Sequence, residues 1–163
     1  MRQTLAAFTA VSAVLGAQYL GARGAPHPDR PKTLRWYRSL EKPSFSPPPP
    51  VYGIVWTAID SLVGYAGYRL LQAPCSQARE RALIAWSLSV AGIGGYPWVM
   101  FREKSVVGAL GVAVGLIVTT TGAMWSAAKV DRRAALAMLP MLAWLLFATL
   151  LQEEIVRLNP RER

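Results

Sequence analysis

Residues that carry chemistry are scarce in this 163-residue chain. Its one cysteine, Cys75, excludes an internal disulfide and any cysteine-built metal site. Its one histidine, His27, lies between two prolines, where a solvated side chain is expected rather than a ligand. There is no Ser-His-Asp set, no Cys-His pair, no phosphate-cradling glycine loop and no acidic cluster with metal spacing, so no metal centre is expected. No unit repeats at a fixed period. Acids are few as well, nine against eighteen Lys and Arg, which leaves a formal charge of +9.

Charge is also missing in long blocks. Gln3–Ala22, Ala82–Phe101, Ser105–Ala128 and Ala134–Gln152 contain no Asp, Glu, Lys or Arg. Each is close to the roughly 20 residues that cross about 30 Å of hydrocarbon as a helix. A fifth stretch, Val51–Leu71, is apolar apart from Asp60 and Arg69. Together with 53% hydrophobic residues, this predicts an all-α polytopic membrane protein. Its five transmembrane helices would cover approximately 3–22, 51–71, 82–101, 105–128 and 134–156, in one domain over 1–163. The first run also has a secretory signal's basic start, Met1-Arg2, and small residues at Gly21–Ala25. Its length and the four later spans favour a membrane helix.

The excess of positive charge does not indicate nucleic acid, because the basic residues sit in connections, at termini or at helix ends. With five spans, the side holding the long first loop and the C-terminus carries eleven Lys and Arg, and the other side seven. The positive-inside rule then places that loop and the C-terminus in the cytoplasm. Both a bacterial membrane and the mitochondrial outer membrane fit such a chain.

The loop 24–50 is the one sizeable extramembrane element. Its "SPPPP" run cannot donate backbone hydrogen bonds and fixes φ, so a stiff extended lead-in to the second span is expected. A stiff loop bearing Trp36 and Tyr37 above a bundle reads as a lid; a solvated linker whose prolines only stop the helices is the plainer alternative.

"WYRSLEKPSFSPPPPVYGIVWT" resembles the signature of the translocator protein family, also called TspO or peripheral-type benzodiazepine receptors. Trp36, Tyr37, Leu40, Lys42, Pro43, Pro47, Pro48 and Trp56 fall at its positions without a gap. In the last span, Asp131, Ala134, Pro140, Trp144, Ala148, Ile155, Leu158 and Asn159 form a second match. The resemblance implies a five-helix bundle, usually a homodimer, with a cavity under the first loop that takes porphyrins (protoporphyrin IX, haem) or sterols. It implies a receptor or carrier that requires no cofactor; light-dependent porphyrin degradation is the alternative activity, and enzyme status stays open.

The residues point to a cavity independently. Trp56 and Asp60 share one face of the second span, and Trp144, Ala148 and Gln152 share one of the fifth. An indole beside small residues leaves room for a flat apolar guest. With the loop residues that the resemblance places over the cavity, the candidate ligand-binding set is Trp36, Tyr37, Pro47, Pro48, Trp56, Asp60, Trp144, Ala148 and Gln152; catalytic residues are not assigned. The bland reading is that these tryptophans pack the bundle or sit in an interfacial belt, which suits Trp36, Trp98 and Trp125.

Several positions depart from the family pattern. Asp60 stands where a Tyr is usual, Gly92 and Gly95 where an Asn and a Trp are, and Met141 where a Tyr often follows the proline. Gln152 stands at or beside a usual Asn. A mid-bilayer Asp60 must be protonated, wet or paired, in a binding role or as a neutral acid bonded to a neighbour. Ser87, Ala91 and Gly95 recur at four-residue steps in the third span, which allows close helix approach; the resemblance implies a dimer seam on this span. Gly92, Gly94 and Gly95 would alternatively enlarge the pocket or admit a neighbouring helix of the same chain.

Overall fold

The computed structural model describes residues 2–162, and among them there are helices and no strands. Six helices follow in order: α1 Arg2–Ala22, α2 Pro31–Ser39, α3 Pro49–Gln72, α4 Gln77–Arg102, α5 Val106–Ala128 and α6 Arg132–Leu158. A 3-10 turn, Pro160–Glu162, follows α6. The charge-free runs lie in α1, α4, α5 and α6, and these four are long and apolar enough to cross a membrane. Five were expected; α3 has the length, at 24 residues, but Asp60, Arg69 and its tyrosines dilute its apolarity.

Local chemistry sets the helix ends. Ser76 and Ser105 accept the backbone N–H groups of Arg79 and Gly108 at 3.1 and 3.0 Å, and Asp131 accepts those of Arg133 and Ala134. Pro49 and Pro50 open α3, where their missing N–H groups cost nothing. Pro97 falls inside α4, which continues past it as a wider π-helical turn over Trp98–Arg102. α6 breaks at Met138, two residues before Pro140, whose ring cannot fit against the carbonyl four residues back. It therefore runs as two segments, Arg132–Ala137 and Leu139–Leu158.

The long helices close a ring in the order α3, α1, α4, α5, α6. The short 73–76 connection suggests α3 and α4 as direct neighbours, yet α1 stands between them over most of their length. They meet near the connection, where Gly67 lets the Trp86 indole lie against the α3 backbone and donate to the Val63 carbonyl at 2.9 Å. Gly94 brings α4 against α1: an added Cβ would stand 2.7 Å from the Ala17 carbonyl oxygen. Gly92 makes room for Leu116 of α5. Two of the three glycines are thus used within the chain, while Gly95 has open space beside it.

The ring closes unevenly. The first segment of α6 packs on α3 through buried Ala134, Ala135 and Ala137, but the second segment scarcely touches α3. Exposed apolar side chains, among them Phe8, Leu15, Ile84, Val118 and Leu150, cover the outer faces, as a lipid solvent allows. Arg102 lies over Trp98 at 4.2 Å and Lys129 over Trp125 at 5.3 Å, two aromatic–cation anchors at opposite ends of the bundle.

The loop 24–50 is not extended throughout. It folds as α2, with Lys32, Arg35 and Arg38 outward and Trp36, Tyr37 and Leu40 toward the bundle. Pro31 at the first turn starts this helix, and the sequence's alternation of basic and aromatic residues gives it two faces. The expected stiff lead-in is confined to the prolines, where Pro48 has φ −58° and ψ 147°.

Candidate functional site

Where α3 and the second segment of α6 part, a cleft of about 490 Å³ opens. Its α6 wall is Pro140, Ala143, Trp144 and Phe147, spaced as one helical face. Its α3 wall is Ile54, Val55, Ala58 and Ile59. Each wall carries a small residue, Ala58 and Ala143, and Ile54, 71% exposed, marks the open side. No charged side chain lines it, so whatever it holds there is bound by apolar area and ring contacts.

An aromatic group rims the cleft. Trp144 meets Tyr52 edge-on at 5.9 Å and leans on Phe147 at 5.3 Å, and Phe45 of the first loop meets Phe147 at 6.4 Å. Such edge contacts fix ring orientation while leaving ring faces free for a flat partner.

The remaining candidates are divided among three places. Trp36 and Tyr37 lie on the bundle-facing side of α2 at the loop end: Trp36 Nε1 donates to Glu162 Oε2 at 2.9 Å, and Tyr37 sits edge-on to Phe101 at 5.3 Å. The Lys42 ammonium donates to the carbonyls of Tyr37 and Leu40 at 2.7 and 3.0 Å and lies 4.5 Å from the Tyr37 ring. Burial raises the Tyr37 pKa and lowers that of Lys42. Pro47 is half-buried and Pro48 exposed on the lead-in to α3.

Gln152 is fully enclosed and its amide is engaged. It accepts from the Tyr96 hydroxyl at 2.7 Å and donates to the Val106 carbonyl at 2.8 Å, which ties α6 to α4 and α5. Ala148 is half-buried beyond the cleft wall. Trp56 is half-buried against the main core. Asp60 points toward α1, where Gln18 is its polar neighbour; its Oδ1 is buried without a hydrogen-bond partner among the described residues. Of the nine candidates, therefore, Trp144 lines the cleft, and the others stand around the loop end, the interior or the α1 side.

Sequence reasoning missed the partners of Trp144. Pro140, Ala143 and Phe147 share its face at i−4, i−1 and i+3, a pattern present in the sequence; Tyr52, eight residues upstream of Asp60, is visible only once α3 and α6 are placed side by side. On the other side of the ring, a groove of about 610 Å³ between α1 and α4 is lined by small residues, among them Gly16, Ser87, Ala91 and Gly95, and by Trp98. Among the described residues, no three His, Cys, Asp or Glu stand close enough to hold a metal ion.

Comparison with known proteins assigns this architecture. A profile of the TspO/MBR family matches residues 8–158. A tryptophan-rich sensory protein of Cereibacter sphaeroides is 30% identical over 143 residues, 86% of this chain and 89% of that protein. The human translocator protein is 33% identical over 132 residues, 77% of this chain and 76% of its own. A tryptophan-rich protein TspO of Chlorobaculum tepidum is 28% identical over 132 residues, 80% of this chain and 84% of its own.

Proposed function

The chain belongs to the TspO/MBR family of membrane proteins, and on that premise we propose that it is a receptor or carrier for a flat apolar guest, a porphyrin or a sterol. The observation that carries this reading is the α3/α6 cleft: apolar walls, a Trp144–Phe147 aromatic rim and a volume within the range of small-molecule sites. In this reading α3 is the fifth crossing. Its 24 residues rise about 36 Å, enough for a bilayer's hydrocarbon. The first loop and C-terminus then face the cytoplasm, and the cleft opens sideways into lipid, the phase into which sterols and porphyrins partition. The Ser87, Ala91 and Gly95 stripe of α4, along the α1/α4 groove, is the proposed seam of a homodimer.

The test is a titration of detergent-solubilised protein with protoporphyrin IX in the dark, read by tryptophan fluorescence, with a sterol as competitor. Trp144→Phe weakens binding about fivefold to tenfold, the loss of one ring's area and edge contacts. Asp60→Asn, on the α1 side, leaves affinity unchanged. Linear, unsaturable quenching in the wild type, with no sterol competition, overturns the reading.

The Tyr52, Trp144 and Phe147 rings around the cleft favour a second reading, light-dependent porphyrin degradation. New absorbing products under illumination, absent in Trp144→Phe at saturating porphyrin, would establish it.

A further inference from the structure

The first loop and the C-terminus, more than a hundred residues apart in sequence, are joined by a polar clasp. The Asn159 carboxamide engages both backbone polar groups of Glu41: the Glu41 N–H donates to Oδ1 at 2.9 Å, and Nδ2 donates to the Glu41 carbonyl at 2.9 Å. Nδ2 also donates to the Ile155 carbonyl at 2.8 Å, so the side chain is aimed by its own helix end. Three residues on, Glu162 accepts the Trp36 indole N–H at 2.9 Å. The Glu162 N–H donates to the Asn159 carbonyl at 3.0 Å, which makes the turn one piece and presents both contacts together. Between the clasped positions, Leu40 is buried against Leu151 and Ile155 of α6.

The loop behind this clasp is stiff within itself. Lys42 bonds the carbonyls of Tyr37 and Leu40, and the Ser46 N–H donates to the Pro43 carbonyl at 3.0 Å. Arg30 donates to the carbonyls of Ala22 and Arg23, which pins the loop's start to the end of α1. The segment is thus held at α1, at the prolines of α3 and in its middle; freed in the middle, a piece this stiff would swing as one. Phe45, four residues beyond Glu41, packs on Phe147 of the cleft wall.

We propose that the C-terminal turn, Asn159 to Glu162, is a latch that holds the first loop shut and sets how fast the α3/α6 cleft exchanges its guest. The latch contacts are solvent-exposed hydrogen bonds, strong enough to bias the loop and weak enough to break on the timescale of ligand exchange. Whatever occupies or removes the C-terminal turn therefore releases Phe45 together with Glu41. The inference rests on the cleft being the binding site, and its test separates the two.

Hydrogen exchange of the full chain in detergent reads the loop directly. Asn159→Ala speeds exchange of the 36–46 amides about tenfold, the effect of two net hydrogen bonds, while α5 amides stay protected. Because Asn159 also caps α6, Trp36→Phe and Glu162→Ala are made alongside; each speeds the loop about threefold, and the double variant goes no further than either alone. Protoporphyrin IX release accelerates by matching factors in the same variants. Unchanged loop exchange in all of them overturns the latch. Faster loop exchange with unchanged release from a protein that binds overturns the coupling and leaves the cleft reading intact. Absence of saturable binding in the wild type overturns the cleft reading and the coupling together, and the exchange data then decide the loop latch alone.

Discussion

At the end where α3 passes into α4, the bundle is closed by contacts made close to its buried core. Arg79 donates to the Leu70 and Leu71 carbonyls at 2.9 and 3.2 Å, capping α3. Asp131 caps α6 and pairs with Arg69 at 2.7 Å, and Leu70, Ala82, Ala127 and Ala134 beneath them are fully enclosed. At the loop end, closure is a folded-over segment with exposed hydrogen bonds spanning 118 and 126 residues. Small side chains and a shielded ion pair give the first end little room to move. The second end closes through contacts that water can replace.

The sharpest break in this contrast comes from one added methyl group on α3. In Gly67→Ala, at the tight end, the Cβ would stand 2.4 Å from a Trp86 ring held by its bond to Val63. A loss of roughly 3 kcal/mol, the upper range for overpacking, is expected in thermal or denaturant unfolding in detergent. Next comes Asp131→Ala, which removes the α6 cap and strands Arg69, at about 2 kcal/mol. Asp131→Asn keeps a capping oxygen and loses about half of that; equal losses would show that the ion pair carries the whole effect and the cap contributes nothing. The smallest effect is at the loop end, where Gly53→Ala meets nothing within 4 Å. It gains about 0.5–1 kcal/mol from helix propensity alone. A destabilised Gly53→Ala would mean that the loop end is packed as tightly as its opposite.

The membrane helices were legible because charge-free runs are long and their interruptions coincide with capping Ser76, Ser105 and Asp131. α2 was not, since a nine-residue helix takes its stability from docking Tyr37 and Leu40, which no local pattern reveals. The family resemblance read from the loop and the last helix agrees with the profile match over 8–158. Within the candidate site, Trp144 lines the cleft; the sequence offered it chiefly as a position of the family match and also as an indole beside small residues. Gln152 shows the limit of that reasoning: helical spacing placed it on the Trp144 face, but five residues beyond Phe147 its amide is consumed by Tyr96 and Val106. The small-residue pattern of α4 was readable as helix contact, yet only the tertiary structure separates Gly94, pressed on α1, from Gly95, which is free.

The break in α6 at Met138 gives the cleft a ruler. Below it the segment seals against α3, and the open wall begins at Pro140 and ends at Phe147, where the loop's Phe45 stands. Seven helical steps measure about 10 Å, the length the cleft offers along the helix. On the proposed reading, a rigid guest longer than that would project past Phe45 or out into lipid. Shifting the proline by one turn would move the start of the open wall by about 5 Å, so on the proposed reading the position of a helix defect sets the size of guest that fits.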